Sequence, residues 1–397
     1  MTMAEKAGFK TVETDLEELN EKIAQYRKKI LLRILIGVAV AVVIGIGVFL
    51  FMKFRTYDSY VIKDTIETGQ ESSSMFYDFC DNILEYSNDG AVYKDNKGNL
   101  IWNQAFEMTT PMDNQCQEYI AIYDKGGTEI FLMDTKGVKQ EIKTSVPIKT
   151  VSVASQGTIA VLMREKVNYF IKLYDKKGKE LANGEYYGNQ GCIPIDIALS
   201  YDAQKMAVDM VDITSGKSDT NITFYNFGSV GQNEINNNVG SFSYDSTIVP
   251  NIRYISNDTL VAVGDSSVMF FSGNQKPKLE KTIDFTSTVE SIFYNEKYIG
   301  ISYSNQDADS THRIVVYNNK GKKVMEHDTE IAYSSIEFLS NNQICVHNNY
   351  ECEIYSIDGI RKFKYAFDTT LYKILYEGNG NTYYFVLEGK TQKIKLS

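Results

Sequence analysis

Three histidines are the side chains best able to bind a metal or to transfer a proton near neutral pH. They are His312, His327 and His347, and we expect each to lie in a different repeat unit, with no paired histidine or cysteine at ligand spacing. A zinc site needs three or four ligands brought together, usually in closely spaced pairs. We therefore expect no metal site and interpret the histidines as surface or turn residues.

Carboxylates are the second group that could do chemistry, and two short clusters contain them. Asp307 and Asp309, with Ser310, lie in a polar segment and could contact Ca²⁺. Two carboxylates without further acidic ligands are common in solvated loops, which is the interpretation we favour. Asp209 and Asp212 are similar in kind, and they could line a channel or face solvent.

Five cysteines are present: Cys80, Cys116, Cys192, Cys345 and Cys352. An odd and sparse set does not form a disulfide framework. Cys345 and Cys352 differ from the others because they flank a hairpin sequence. With Asn348 and Asn349 as its two-residue turn, the two cysteines would lie directly opposite each other. The sequence leaves open a cross-strand disulfide or two half-buried thiols.

No local motif identifies a catalytic site. The chain has neither a G-x-S-x-G sequence nor a glycine-rich phosphate loop, and paired carboxylates for glycoside cleavage need a geometry that sequence does not supply. We therefore expect no enzyme activity and no cofactor. Five tyrosines near expected loops could stack on sugar rings or fill the space between packed sheets: Tyr186, Tyr187, Tyr201, Tyr244 and Tyr254.

An apolar segment near the N-terminus is the first element that must position these side chains. Residues 34–52 hold no charge over 19 positions, which as a helix spans about 28 Å, close to the hydrocarbon thickness of a bilayer. We predict a transmembrane helix over residues 30–53. The preceding segment is too long for the usual n-region of a signal peptide, and no small-x-small cleavage site follows, so we expect an uncleaved anchor.

Basic residues flanking this segment predict its orientation. Four lie on the N-terminal side and two on the C-terminal side: Arg27, Lys28, Lys29 and Arg33, then Lys53 and Arg55. The positive-inside rule then places residues 1–29 in the cytoplasm and the large C-terminal domain outside it. We expect a single-pass protein of the plasma membrane.

Two patterns in the anchor region indicate self-association. Apolar residues from Val12 to Ile30 follow heptad spacing, and Gly37, Ala41 and Gly45 form a small-xxx-small ridge. Together they suggest a parallel homodimer. The alternative is an amphipathic helix on the inner leaflet, with small residues that occur by chance.

A hairpin pattern recurs through the rest of the chain. It consists of a short aromatic or aliphatic strand, a polar turn that usually contains glycine, and a second alternating strand. Its eight copies occupy residues 91–103, 130–144, 170–183, 222–236, 268–284, 314–328, 352–367 and 384–397. Successive turns are about 40 residues apart on average, the length of a four-stranded propeller blade. We predict an all-β fold, an eight-bladed β-propeller over residues 76–397, with seven blades as the alternative.

The final repeat is one strand short, because residues 371–397 supply only three strands. The entry segment, residues 54–75, contains an alternating stretch at residues 57–67 that could supply the missing outer strand. Closing the ring with strands from both chain ends would remove exposed sheet edges.

The charge of the chain is unevenly distributed. Residues 1–55 carry nine basic and six acidic residues, which gives +3, and the remainder carries 41−9 = 32 basic and 51−6 = 45 acidic residues, which gives −13. An acidic domain argues against binding of nucleic acid or of an anionic lipid surface.

Two segments resemble known propeller repeats. Residues 95–102 (DNKGNLIW) resemble the D-x-x-G-x-x-x-W hairpin of quinoprotein-like propellers, and residues 198–209 (ALSYDAQKMAVD) resemble a hairpin of TolB-like and WD40-like blades, with Ala203 where those families usually have glycine. The whole chain is similar to an uncharacterised family of membrane-anchored propellers of clostridial-type Gram-positive bacteria. That resemblance implies a fold and a location but no activity.

The quinoprotein resemblance does not extend to quinone chemistry. The chain has one tryptophan, whereas the quinone-dependent dehydrogenases have a tryptophan motif in nearly every blade. Scaffold-type relatives, which hold assembly partners without a cofactor, are the closer analogy.

We therefore expect a non-catalytic, extracytoplasmic binding or scaffold module for an envelope protein or a wall polymer, anchored in the lipid bilayer by one helix. The alternatives are an envelope enzyme, either a glycan-acting hydrolase or lyase or a degenerate quinone-dependent dehydrogenase, and a dimeric signalling receptor.

Overall fold

The computed structural model describes residues 16–67, 74–95, 97–188, 191–214, 216–305 and 312–397. The chain divides into two compact units, Met1–Thr56 and Tyr57–Ser397.

The first unit contains a single continuous helix, α1, at Leu16–Phe54. Its apolar side chains from Leu31 to Phe54 are exposed. By length and composition Glu18–Phe54 can cross a membrane, because an 18-residue stretch within it has a mean hydropathy of 3.0. A signal sequence near an N-terminus also passes this test.

The second unit is a ring of eight four-stranded antiparallel sheets, which confirms the predicted eight-bladed β-propeller. Blades 1 to 4 contain β2 (Met75–Phe79), β3 (Asn82–Tyr86), β4 (Gly90–Lys94), β5 (Leu100–Ala105); β6 (Pro111–Cys116), β7 (Tyr119–Asp124), β8 (Glu129–Asp134), β9 (Gly137–Lys143); β10 (Ile148–Val153), β11 (Ile159–Glu165), β12 (Asn168–Tyr174), β13 (Glu180–Tyr187); and β14 (Cys192–Leu199), β15 (Lys205–Asp212), β16 (Asp219–Asn226), β17 (Asn238–Tyr244).

Blades 5 to 8 complete the ring. They contain β18 (Asn251–Tyr254), β19 (Thr259–Val263), β20 (Ser267–Ser272), β21 (Lys278–Asp284); β22 (Val289–Tyr294), β23 (Tyr298–Ser304), β24 (His312–Asn318), β25 (Lys323–Thr329); β26 (Ser335–Phe338), β27 (Ile344–His347), β28 (Glu351–Tyr355), β29 (Arg361–Ala366); and β30 (Leu371–Tyr376), β31 (Thr382–Leu387), β32 (Lys390–Leu396), β1 (Tyr60–Glu67).

The ring closes in blade 8 with strands from both ends of the unit. β1 pairs antiparallel with β32, from Tyr60 opposite Leu396 to Glu67 opposite Lys390. The backbone N–H of Ser397 also donates to the Ser59 carbonyl oxygen at 3.0 Å. The strand that the sequence suggested as the missing outer strand therefore occupies that position.

The core lies between neighbouring blades. The second and third strands of each blade are covered on both faces, so they are nearly continuous apolar runs such as Tyr119–Asp124, where four consecutive residues are buried. Ile120 and Ile122 of blade 2 pack against Phe79, Leu84 and Tyr93 of blade 1. The burial of these side chains against the next blade holds the ring together.

The turn between the third and fourth strands follows one design in several blades. In blade 3, Asp175 Oδ1 accepts hydrogen bonds from the backbone N–H groups of Lys177 and Lys179, both at 2.9 Å, and Gly178 adopts φ 76°. Glycine takes this left-handed conformation without steric cost. The single tryptophan, Trp102, packs on the equivalent turn of the next blade, at 3.7 Å from a Cβ built on Gly137.

The turns and connections lie on two faces of the ring. Strands alternate in direction, so the turns after the first and third strands of every blade share one face, and the connections after the second and fourth strands share the other. Tyr57, the first residue of this unit, donates its backbone N–H to the Lys362 carbonyl oxygen at 2.9 Å, at the start of β29. We call the face on which Tyr57 lies the entry face and the other the opposite face.

Candidate functional site

The first strands of the eight blades surround a central channel that holds two cavities. One, of about 520 Å³, is lined by turns of the entry face, and we call it the entry chamber. The other, of about 260 Å³, lies towards the opposite face, and we call it the opposite chamber.

Arg253 crosses the channel and lines both chambers. Its Nη1 donates to the Tyr294 hydroxyl at 3.1 Å, and its Nη2 donates to the Gln115 carbonyl oxygen at 3.2 Å, three blades away. The guanidinium also lies 4.6 Å from the centroid of the Tyr294 ring. A half-buried arginine held by a hydroxyl, a carbonyl and an aromatic face is fixed in place, so Arg253 is a rigid group at the level where the two chambers meet.

The entry chamber is rich in carboxylates. The basic residues that line it are Arg253 and Lys373. Five acidic residues line it: Asp78, Asp81, Glu118, Glu296 and Glu337. Lys373 Nζ is paired with Glu337 at 2.5 Å. Burial, together with the neighbouring Asp81, raises the pKa of Asp78 to about 6. The chamber therefore suits a cationic group, and it also places the carboxylates that a catalytic site would need at one mouth of the channel.

Polar side chains of the opposite chamber fasten adjacent blades together. Each accepts a hydrogen bond from a backbone N–H in the first strand of the following blade. Asn114 accepts from Val153, Ser152 from Leu199 and Asp196 from Ile252, all at 2.9 Å. These groups are satisfied within the protein, so their role is to hold neighbouring blades in register.

Asp209 lies next to this chamber but does not line it. It is on β15, directly opposite Asp196 of β14, and its side chain is 0% exposed. Within the described residues, neither carboxylate oxygen has a hydrogen-bond partner. Burial, and secondly the nearby Asp196, raises the pKa of Asp209 to about 8.

The sequence left open whether Asp209 and Asp212 line the channel or face solvent. Asp209 does neither, whereas Asp212 is half-exposed at a surface turn. Asp209 is buried in the second strand of blade 4, packed under the neighbouring blades. Asp212 ends the same strand at the opposite face. There its Oδ1 accepts hydrogen bonds from the backbone N–H of Thr214 at 2.8 Å and from the Thr214 hydroxyl at 2.6 Å. Asp212 is therefore a turn residue.

The predicted juxtaposition of Cys345 and Cys352 is wrong. Asn348 Oδ1 accepts hydrogen bonds from the N–H groups of Tyr350 and Glu351, so the turn lies one residue later than expected. This register places Cys345 opposite Ile354 and Cys352 opposite His347. Both cysteines are buried free thiols of one apolar cluster, and burial raises the pKa of each.

The histidines are distributed differently from our expectation, because His312 and His327 share blade 6. They lie on adjacent strands but contact different groups: His312 Nδ1 pairs with Glu290, and the His327 ring lies 4.4 Å from that of Tyr355. His347 is buried in β27. Within the described residues, no three histidine, cysteine or acidic side chains form a metal-binding group; Asp307, Asp309 and Ser310 lie outside those residues.

The five tyrosines do not form an exposed aromatic surface. Tyr254 is buried, Tyr186 bonds to the Tyr225 hydroxyl at 3.0 Å between blades, and Tyr201 is half-buried at the channel. Tyr244 is also half-buried. Of the five, Tyr187 is exposed, and it lies on the opposite face at the end of β13.

Tyr187 belongs to an apolar patch on the opposite face at blades 3 to 5. The patch consists of four side chains between 41% and 56% exposed: Val167, Tyr187, Ile213 and Ile248. Backbone hydrogen bonds join its loops, from the N–H of Gly188 to the Val167 carbonyl at 2.9 Å and from the N–H of Ile213 to the Gly191 carbonyl at 3.0 Å. We call these four residues the opposite-face patch. The sequence did not reveal it, because its members are far apart along the chain.

The rest of the opposite face is acidic. Its described loops and turns carry seven exposed carboxylates and three exposed lysines. The carboxylates are those of Asp89, Glu107, Asp245, Asp265, Glu330, Asp368 and Glu388, and the lysines are Lys125, Lys166 and Lys217. Next to the patch both signs of charge occur, because Lys166 and Lys217 lie in the loops of Val167 and Ile213, whereas Asp245 and Asp265 lie beside Ile248. An apolar surface flanked by charged side chains is typical of protein-binding surfaces.

Comparison with known structures shows the fold alone. BamB from Moraxella catarrhalis superposes with a TM-score of 0.50 at 12% identity, covering 85% of this chain and 98% of that chain. The Neurospora crassa Pan2 WD40 domain gives a TM-score of 0.46 at 7% identity, covering 86% and 97%. No curated protein matches the sequence.

One family model matches most of the chain, over residues 53–396. The match includes the ring-closing strand and all eight blades. The chain therefore belongs to the family described as "Family of unknown function (DUF5711)".

Proposed function

We propose that the chain is a membrane-anchored binding module of the cell envelope, in which α1 holds the propeller outside the cytoplasm and the opposite-face patch binds a protein partner. Four exposed apolar side chains on neighbouring loops are the observation that carries this proposal, because a water-soluble surface gains nothing from them unless they are covered. A propeller fold that resembles BamB is compatible with a binding role but does not supply one.

The chemistry of the patch defines the partner. A complementary surface would carry apolar side chains at its centre, basic residues opposite Asp245 and Asp265 on the Ile248 side, and acidic residues opposite Lys166 and Lys217. The charges would steer association and fix orientation, and the apolar contact would provide most of the affinity.

The test is co-purification of the full chain from solubilised native membranes. We expect a discrete protein partner with the wild-type chain, and its loss with the double variant Val167→Glu and Ile213→Glu. The matched control is Leu181→Glu and Val324→Glu, two exposed aliphatic residues on other surfaces, which should retain the partner. A partner retained by the patch variant, or lost equally with the control, contradicts the proposal.

The catalytic alternative has one observation in its favour, the carboxylates of the entry chamber. Asp78, whose pKa is raised to about 6, would be its acid. If the chain is a glycan-acting enzyme, Asp78→Asn should abolish turnover of wall glycan and leave the co-purified partner in place. Absence of turnover by the wild-type chain removes this alternative.

A further inference from the structure

The outer rim of the entry face carries a ring of lysines. Eight exposed lysines lie in the turns between the third and fourth strands of five blades: Lys97, Lys136, Lys176, Lys177, Lys179, Lys276, Lys320 and Lys322. In blades 1, 3 and 4, acidic residues of the turns between the third and fourth strands are hydrogen-bonded or paired. Asp95 and Asp175 accept backbone hydrogen bonds within their turns, and Glu234 is paired with Lys276 at 2.6 Å.

Exposed aliphatic side chains accompany these lysines around the ring. In six blades the second residue of the outermost strand is an aliphatic side chain between 36% and 54% exposed: Val61, Ile101, Val138, Leu181, Leu279 and Val324. In blade 4 that position is buried, but Ile235, in the turn before the strand, is 86% exposed. We call the eight lysines and these seven aliphatic residues the rim belt.

Protection of sheet edges explains only half of this pattern. Lysines on an outermost strand or beside it discourage pairing with another sheet. Aliphatic residues beside them do the reverse. Apolar side chains scattered singly on a soluble surface need no explanation, but here they recur at one strand position in six of the eight blades. Alternating apolar side chains and lysines are instead typical of surfaces that lie in the interfacial region of a bilayer.

The chain enters the propeller on this same face. Only Arg55 and Thr56 separate the last residue of α1, Phe54, from Tyr57, and Tyr57 is bonded to the backbone of blade 7 at the entry face. The three steps from Phe54 to Tyr57 span at most about 11 Å. A chain anchored through α1 therefore keeps this face within reach of the headgroups.

We propose that the rim belt rests on the anionic headgroups of the bilayer that anchors α1, with its lysines at the phosphates and its aliphatic side chains between the headgroups. This inference rests on the membrane anchoring proposed above. It revises the expectation from net charge, because the exposed carboxylates of the opposite face are turned away from such a surface while the rim is basic. The acidic entry chamber lies inside the rim and would be covered, which leaves the opposite face for a partner.

The experiment measures the reactivity of individual lysines in the full chain, reconstituted into nanodiscs of phosphatidylcholine alone or mixed with phosphatidylglycerol. Each lysine is acetylated with an amine-reactive ester and quantified by mass spectrometry. We expect the rim lysines Lys136, Lys177 and Lys320 to react about fivefold more slowly in the anionic discs, which corresponds to about 1 kcal/mol per lysine near a charged surface. Lys125 and Lys166 of the opposite face are internal controls and should not change.

A second measurement tests insertion of the aliphatic residues. Tryptophan fluorescence of Leu181→Trp should be quenched by brominated lipids more than that of the wild-type chain, whereas Val167→Trp, at a similarly exposed position on the opposite face, should match the wild-type chain.

Four results would overturn the proposal. Equal reactivity of rim and control lysines in the two kinds of disc, or equal quenching of the two tryptophan variants, would show that the rim does not contact lipid. Protection of the rim lysines by soluble polyglycerol phosphate but not by anionic discs would assign the belt to a wall polymer. A chain that separates from the discs during gel filtration would overturn the anchoring as well as this inference.

Discussion

At the scale of single residues, burial decides the chemistry more than residue type does. Asp209 and Asp212 are three positions apart on one strand, yet Asp209 has a pKa raised to about 8 and Asp212 has a pKa lowered by hydrogen bonds from Thr214. The sequence identified both as carboxylates but could not distinguish them, because the blades that cover Asp209 are distant along the chain. The error at Cys345 has a local cause. Hydrogen bonds to the Asn348 side chain accompany a turn that lies one residue later than the sequence suggested.

Asp209 predicts a dependence of stability on pH. Its pKa in the folded chain, about 8, lies above the unfolded value of 3.8, so folded protein binds the extra proton and wild-type stability falls as pH rises between these values. Asp209→Asn removes that loss. We expect the variant to be more stable than wild type by about 2–4 kcal/mol at about pH 9 and nearly equal at about pH 4.

The measurement is urea unfolding of the full chain in detergent, followed by the fluorescence of Trp102. Asp212→Asn is the matched control, because this turn carboxylate has a lowered pKa, and that variant should not gain stability at high pH. A gain from Asp209→Asn that is the same at both pH values would show that the residue is ionised or solvated throughout.

At the scale of elements, the hairpin repeats and the short final repeat predicted the ring and the strand that closes it. β1 is held by more than its ladder with β32. The Tyr60 ring lies 4.8 Å from Tyr365 and 5.2 Å from Phe385 in edge-to-face geometry. These contacts with blades 7 and 8 could not be predicted, because they depend on how the sheets of these two blades twist and pack.

Removal of the Tyr60 ring should weaken the closure of the propeller. We expect Tyr60→Ala to lower the free energy of unfolding by about 2–3 kcal/mol, from lost burial and aromatic contacts. Tyr350→Ala, which truncates a tyrosine that is mostly exposed, should change stability little. Equal effects of the two variants in urea unfolding would mean that the β1 closure contributes little to the stability of the ring.

The small-residue ridge of α1 remains a prediction of a dimer. Gly37, Ala41 and Gly45 are each four residues apart on the helix, and a Cβ built on Gly37, Gly45 or Gly47 meets no atom within 4 Å. Within one chain, a larger side chain is therefore tolerated at each of these glycines. We expect Gly45→Ile to reduce crosslinked dimer in membranes about tenfold, which corresponds to about 1.4 kcal/mol, while Gly47→Ile, off the ridge, leaves it unchanged.

Equal dimer from Gly45→Ile and Gly47→Ile would remove the ridge as an interface. Absence of dimer from the wild-type chain would favour the alternative of a monomeric anchor and would remove the hypothesis of a dimeric signalling receptor.

At the scale of the whole molecule, the distribution of charge matters more than its sum. The sequence gives a strongly acidic domain, and on that basis we expected it to avoid anionic lipid. The fold distributes the charges unevenly instead: carboxylates outnumber lysines in the loops of the opposite face, and on the entry face a rim of lysines surrounds the acidic entry chamber. Net charge could not predict this, because the two faces are assigned by the alternation of strands within each blade.

The two surfaces support one account, in which the rim belt faces the bilayer and the opposite-face patch faces a protein partner. The measurement that tests its central claim most directly is site-specific photo-crosslinking of the full chain in native membranes. The photoreactive residue replaces Ile213 of the patch in one variant and Ile235 of the rim in the other. The account predicts one discrete protein adduct from position 213 and lipid adducts from position 235. Absence of a protein adduct from position 213, or the same adducts from both positions, would contradict it.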